Sequence, residues 1–224
     1  MNNNTLKNAF VTYEADAWFD RNVDVLEGYD PTKDIILKIF NDYGLTPNNV
    51  LEVGCSYGYR LNAIKNILPN SKVVGIDASS KAIEYGKDKY LNLDLLNYTA
   101  DDLSSFGDEY FDTIIIGFVF YVVDRSLLLK VVAEIDRVLK NGGNLIILDF
   151  YSTAPSKNPY QHIKGVEAYS YKQKYEETFL ASKLYLEVGK YTQNQFSKKL
   201  DNSSDYYNQN SYSILKKDIS ECYR

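Results

Sequence analysis

From residue 50 onward the hydrophobic positions of this chain fall into short solid runs separated by longer stretches with helical spacing. Residues 50–53 form an apolar run closed by Gly54, and residues 73–76 form a second that ends on Asp77. Between them, residues 59–68 carry apolar side chains three and four apart and stop at Pro69-Asn70. Residues 79–90 repeat the helical spacing, with Ala82, Ile83 and Tyr85 on the inner side. A weak strand follows within residues 95–99. Residues 111–117 (FDTIIIG) are almost wholly apolar, as expected of a central strand covered on both faces. Ser126 is placed to cap a helix over residues 127–139 that ends at Asn141-Gly142-Gly143, and residues 145–150 read as the next buried strand. Strand and helix in alternation predict an α/β domain built on a mostly parallel sheet.

The flanks differ. Residues 13–26 give an irregular helical pattern around Trp18, Phe19, Val23, Val25 and Leu26. Asp30-Pro31 then predicts the start of a second helix, with Ile35, Ile36, Ile39, Phe40 and Tyr43 inward and Gly44 as its stop. After Tyr151 the composition shifts. Eleven of the 21 tyrosines stand from that residue onward, among Lys, Ser, Asn and Gln. This part predicts a loop through Pro155 and Pro159 and a helix near residues 172–180. Two strands over residues 184–196 and 212–222 would then pair antiparallel across a polar loop at 198–210.

Composition narrows the chemistry. Thirty acidic against 25 basic side chains leave a net charge of −5, which argues against general binding to a phosphate backbone, so nucleic acid is an unlikely partner. No stretch reaches the roughly 20 apolar residues of a membrane span, and MNNNTLKNAF lacks the marks of a signal peptide. The expectation is a soluble, cytoplasmic protein, monomer or homodimer. Two cysteines, Cys55 and Cys222, provide no disulfide framework. A single histidine, His162, argues against a metal centre, and no Gly-x-Ser-x-Gly elbow supports a hydrolase.

The residues that carry chemistry cluster after the strands. In Glu52-Val53-Gly54-Cys55-Ser56-Tyr57-Gly58 a strand runs into a glycine-bearing turn and then a helix. Gly54 allows the tight turn, and Gly58 lets the following helix start close to a ligand. Asp77 stands 25 residues beyond Glu52, at the end of the second strand. A carboxylate there can accept hydrogen bonds from both hydroxyls of a ribose. The loop Thr99-Ala100-Asp101-Asp102-Leu103 lies on the same carboxyl edge, where open α/β sheets bind their ligands.

Taken together, LEVGCSYG, VVGIDASSKAIEYGKDKY, TADDLSSFGDEYFDTIIIGFVFYVVD and LLLKVVAEIDRVLKNGGNLIILDF resemble, in order and spacing, the class I S-adenosylmethionine-dependent methyltransferases. The resemblance implies a Rossmann-like, seven-stranded, mostly parallel sheet with helices on both faces and an antiparallel C-terminal hairpin. It implies S-adenosyl-L-methionine as cofactor and S-adenosyl-L-homocysteine as its product. Glu52, Gly54, Cys55, Ser56 and Gly58 would hold the amino-acid end. Asp77 would bind the ribose, with Ala78 and Ser79 beside the adenine, and Ala100 with Asp101 or Asp102 would read the adenine edge. Gly117 and Phe118 would lie near the methionine moiety. Two departures stand out: Ser56 replaces the usual middle glycine, and Thr99 stands where an acid usually follows the third strand. By this division residues 1–45 are N-terminal helices forming a lid and 46–150 are the cofactor-binding core. Residues 151–224 supply the acceptor-site loop, a helix and the last two strands of the same domain.

The expected reaction moves a methyl group to an oxygen or nitrogen of a small molecule, such as a sugar or related metabolite. Tyr13, Trp18, Tyr121 and Tyr160 are candidates to contact that acceptor. His162 and Asp149 are candidate bases, since an imidazole or a strand-end carboxylate can take a hydroxyl proton. Two alternatives stay open. One is a dinucleotide-binding oxidoreductase of the NAD type, although Glu52 would repel a pyrophosphate and the third glycine of its fingerprint is missing. The other is a cofactor-binding interaction protein without catalysis.

Overall fold

The computed structural model describes residues 9–197, 199 and 208–222. Nine strands are present among them: β1 (Asn49–Val53), β2 (Lys72–Asp77), β3 (Asp94–Asn97), β4 (Phe111–Gly117), β5 (Leu139–Tyr151), β6 (Ser156–Pro159), β7 (Tyr169–Lys172), β8 (Tyr185–Asn194) and β9 (Gln209–Lys217). Seven form one sheet in the order β3-β2-β1-β4-β5-β9-β8. The first five of that order run parallel, β9 is antiparallel to β5, and β8 is antiparallel to β9. The reversed final hairpin expected from the sequence is therefore in place. The polar loop expected at 198–210 lies mostly outside the described residues, as do residues 1–8.

The solid apolar runs are explained by the two faces they serve. Leu51, Val53, Ile114, Ile116, Leu145 and Ile147 belong to one core cluster, against Val131, Ile135 and Val138 of α5 (Leu128–Val138). Val50, Ile115, Ile146 and Leu148 point into the other, with Ile36, Ile39 and Phe40 of α2 (Ile35–Asp42) and Leu61 and Ile64 of α3 (Tyr59–Ile67). Neighbouring residues on a strand face opposite ways, so covering both faces requires every position to be apolar. The remaining helices are α1 (Ala15–Glu27), α4 (Ser80–Lys89), α6 (Glu176–Leu180) and α7 (Ile219–Cys222).

Several element boundaries differ from expectation. Asp30 caps only a single 3-10 turn, Pro31–Lys33, and it is Asp34 whose Oδ1 accepts from the Ile36 amide (2.7 Å) and starts α2. Ser126 caps nothing: its own amide and hydroxyl donate to Asp124, and α5 begins without a side-chain cap. Asn141-Gly142-Gly143 lies within the first half of β5, not at the end of a helix, because the chain passes straight from Val138 into the strand with a register shift. The loop through Pro155 and Pro159 is a second small sheet, β6 paired antiparallel with β7. The two tyrosines of β7, Tyr169 and Tyr171, favour its pairing. α6 begins four residues later than expected, and β9 ends at Lys217, short of Cys222.

Candidate active site

At the carboxyl edge of the sheet lies a cavity of about 230 Å³. Its floor comes from the ends of β1, β2 and β4. Gly54 takes a left-handed φ of +78°, and a Cβ there would sit 2.5 Å from the Val119 side chain and 2.8 Å from the Gly117 carbonyl oxygen. Only glycine lets the β1 loop close against the β4 loop. Ser56 also adopts a left-handed φ, of 50°, so the missing middle glycine is accommodated by backbone strain. Its amide donates to Asp77 Oδ2 at 2.8 Å, and the Ser79 amide donates to Oδ1 at 2.8 Å. Burial pushes the Asp77 carboxyl above its ordinary range, and those backbone donors partly offset it. Asp77, Ala78, Ser56, Gly54, Ala100 and Asp101 all line the cavity, with Thr99 beside them.

Glu52 does not line it. Its carboxylate lies beneath the loop, gripped by the Arg60 guanidinium, and Arg60 is the residue on the wall. The Arg60 Nε also donates to Asp34 Oδ2 at 2.8 Å, giving a buried carboxylate–arginine–carboxylate triad. Burial opposes the charged form of both acids. At Asp34 the guanidinium prevails and holds the carboxyl below its usual range, whereas at Glu52 burial prevails and pushes it up. Sequence reasoning missed Arg60. The signal was there, a cation in the first turn of the helix that the glycine loop opens.

A cover comes from the N-terminal segment. The π-helical turn Phe10–Glu14 leads into α1, and Phe10, Val11, Glu14, Ala15 and Trp18 line the cavity. π-turns recur at functional sites. Asp16 docks α1 on the start of α4 by accepting from the Ser79 hydroxyl (2.7 Å) and the Lys81 amide (3.2 Å). Ser79 is thereby turned away from the cavity: its hydroxyl serves Asp16 and caps α4 at the Ala82 amide. Glu14 is 1% exposed, ion-paired with Arg21, and accepts from the Tyr160 hydroxyl at 2.6 Å. The Glu14–Arg21 spacing of seven, two helical turns, was a legible hint of one shared face.

The opposite wall follows β4. Gly117, Phe118, Val119, Tyr121, Val122 and Val123 line it, with Phe118 at a left-handed φ of 54°. That conformation is rare for a bulky residue and points to a constrained functional turn. Burial raises the Tyr121 hydroxyl pKa, and the Tyr160 hydroxyl lies beside it.

Other expected residues fall elsewhere. Asp149 is fully buried under the turn that bears Tyr121 and accepts from the Phe150 (2.8 Å) and Tyr121 (3.3 Å) amides. Burial pushes its pKa up to about 7, but it is a support for that turn and not part of the wall. His162 is exposed, its ring 5.5 Å from that of Tyr160, and does not reach the cavity. Tyr13 is exposed, and Tyr160 touches the cavity only through Glu14 and Tyr121. Asp102 is exposed and serves Ser104, leaving Asp101 as the acid on the wall. Cys55 is buried against Gly75 and Gly58 packs on Leu93 and Leu95; both shape the loop from behind. Among the described residues no wall residue lies beyond Val131, so the tyrosine-rich C-terminal part does not line the cavity as expected.

This geometry agrees with what the chain is similar to. The profile of a methyltransferase domain family matches residues 50–143. Demethylmenaquinone methyltransferase of Staphylococcus aureus is 32% identical over 117 residues, 50% of this chain and 47% of that protein. The chain thus spans about half the length of the curated relatives it matches. A solved S-adenosylmethionine-dependent methyltransferase from Methanosarcina mazei superposes with a TM-score of 0.62 at 17% identity, covering 81% of this chain and 97% of that one. The Burkholderia thailandensis 1,6-didemethyltoxoflavin-N1-methyltransferase, solved with bound 1,6-didemethyltoxoflavin and S-adenosylhomocysteine, gives 0.67 at 12% identity, over 95% and 89%. Carrying a methyltransferase domain across residues 50–143 and the reversed hairpin beyond it, the chain has the fold of the class I S-adenosylmethionine-dependent methyltransferases.

Proposed function

We propose that this protein is a methyltransferase that uses S-adenosyl-L-methionine to methylate an oxygen or nitrogen of a small molecule. The observation that carries the reading is the floor of the cavity. Asp77 is held there by two backbone amides with its carboxylate on the wall, next to a buried Ser56 hydroxyl that has no hydrogen-bond partner. An unpartnered buried hydroxyl is costly unless a ligand satisfies it. The residues fit the cofactor: Asp77 suits the ribose hydroxyls, Ala78, Ala100 and Asp101 the adenine, and Arg60 with Ser56 and Gly117 the amino-acid end. Carboxylates of Asp77, Asp101 and Asp124 on the walls suit a ligand with a cationic amine and sulfonium.

The bound cofactor supplies an activated methyl group. The protein's own task is alignment and exclusion of water. The cover of Phe10, Val11 and Trp18 shields the site, and the turn at Phe118–Tyr121, supported by Asp149, fixes the opposite wall. A sugar is not favoured as acceptor, because the walls away from the floor are largely apolar and the C-terminal tyrosines stand off the cavity.

Calorimetry with S-adenosylhomocysteine and with NAD tests the reading directly. Binding of the first and none of the second is expected; tight NAD binding without a response to S-adenosylhomocysteine would establish the oxidoreductase alternative. Turnover to S-adenosylhomocysteine with any methyl acceptor separates an enzyme from an inactive binding protein.

A further inference from the structure

The half of the cavity away from the floor has a definite chemistry. Phe10, Trp18, Phe118 and Tyr121 give it aromatic faces, and Val119 and Val123 fill between them. Besides Asp124, its polar features gather where the Glu14 carboxylate and the Tyr121 hydroxyl meet the Tyr160 hydroxyl. Glu14 is buried, and its carboxylate is held from behind by Arg21 and Tyr160. A carboxylate fixed by two donors keeps further lone pairs for a third. Of the cations near the cavity, Arg21 is matched by Glu14, Arg60 by Glu52 and Asp34, and Lys130 by Asp101 at 3.6 Å, while Arg125 is turned to the Phe120 and Val123 carbonyls. An anionic acceptor would meet the Asp77 and Asp124 carboxylates besides the ion-paired Glu14 and Asp101 and, among the described residues, no basic side chain on the wall except the neutralised Arg60.

Resting on the methyltransferase reading above, we propose that the acceptor is an uncharged aromatic molecule whose O–H or N–H donates to Glu14, and that Glu14 sets this specificity. The flat apolar body lies between the cover and the Phe118–Tyr121 wall. The donor that Glu14 receives belongs to the heteroatom that accepts the methyl group. As the new bond from the heteroatom to the methyl carbon formed and the methyl–sulfur bond broke, the proton of that O–H or N–H would pass to the Glu14 carboxylate. A product whose heteroatom carried a single hydrogen then lacks the donor, loses the charge-assisted bond and is released more readily. Phosphorylated and carboxylated acceptors are rejected by the acidic walls.

The test uses three bicyclic probes of similar size and measures their binding by calorimetry to protein saturated with S-adenosylhomocysteine at pH 7. 2-Naphthol carries the donor, 2-methoxynaphthalene lacks it, and 2-naphthoate is anionic. 2-Naphthol should bind about tenfold or more tighter than either of the others, the worth of one hydrogen bond to a charged group. In Glu14→Gln the ratio between 2-naphthol and 2-methoxynaphthalene should fall to about threefold or less, with S-adenosylhomocysteine affinity unchanged. Equal or tighter binding of 2-naphthoate, failure of 2-naphthol to bind, or an unaltered ratio in Glu14→Gln would overturn the proposal. The comparison in the unmodified protein stands even if the variant folds poorly. Failure to bind S-adenosylhomocysteine at all would instead remove the methyltransferase reading beneath it.

Discussion

The floor and the cover of the cavity are each organised by an arginine and buried carboxylates, yet the two arrangements differ in their contact with water. On the floor, the Arg60, Asp34 and Glu52 side chains are 11%, 6% and 1% exposed. In the cover, Glu14 is equally buried, but its partner Arg21 is 39% exposed. Water can replace much of what Arg21 provides, whereas nothing can replace Arg60. The same ion-pair chemistry therefore makes one region a fixed part of the core and leaves the other attached by contacts that solvent competes for. A site with a rigid floor and a lightly held cover suits a ligand that must enter and leave.

The sharpest way to break this contrast is Arg60→Met. It strands two buried carboxylates and should destabilise the fold by about 3–5 kcal/mol, read as a lower urea midpoint. A loss below about 1 kcal/mol would mean the triad is far more solvated than it looks. The turn of the opposite wall rests on a further buried acid with no arginine salt bridge, Asp149. Its raised pKa means that the folded state prefers the neutral carboxyl. Stability from this group is fully present below pH ~4 and lost as pH rises through about 7, on the order of 4 kcal/mol across that window. Asp149→Asn, whose single amide oxygen keeps an acceptor for the Phe150 amide and gives up the longer contact with Tyr121, should flatten the fall in urea midpoint between pH 5 and pH 8. Parallel profiles for the two proteins would place the titration elsewhere.

Smaller effects sharpen the comparison. Asp77→Ala should weaken S-adenosylhomocysteine binding by more than about tenfold, since a charged acceptor of ribose hydroxyls is worth ~1.5–3 kcal/mol per bond. Unchanged affinity would put the ribose elsewhere. In the cover, Asp16→Ala removes the dock of α1 on α4 and should cost about 1 kcal/mol. Limited proteolysis should then cut within residues 10–27 earlier than in the unmodified protein. Arg21→Gln should cost least, about 1 kcal/mol, because the glutamine amide and the Tyr160 hydroxyl can still donate to the one carboxylate it leaves, Glu14. If Arg21→Gln proved as damaging as Arg60→Met, the difference between floor and cover would collapse.

Much of the floor was legible in the sequence because it is local. Gly54 and Asp77 each sit at a strand end, where backbone direction already decides where the residue goes. Asp102 and Asp101 show the limit of that reasoning: they are adjacent, yet only Asp101 turns to the wall while Asp102 closes a turn on Ser104. Glu52 shows it again, since its place beneath the loop depends on Arg60 and Asp34, which are contributed by two different helices. The acceptor side was read least well. His162 and the C-terminal tyrosines suggested it by composition. The walls are instead Phe10–Trp18 and Phe118–Leu127, which meet only through the packing of the N-terminal segment across the sheet edge.

The sequence by itself determined the elements that strand and helix periodicity enforce. These are the parallel sheet with both faces covered, the glycine loop after β1, and the acid at the end of β2, all set by contacts a few residues apart. The tertiary structure alone decided which carboxylates are paired and which face the cavity. Burial, and the arginine that a carboxylate meets there, depend on segments far apart in the chain: Asp34 and Arg60 beneath the floor, Glu14 and Tyr160 at the cover. Desolvation is a property of a place in the fold, and no pattern along the chain encodes it.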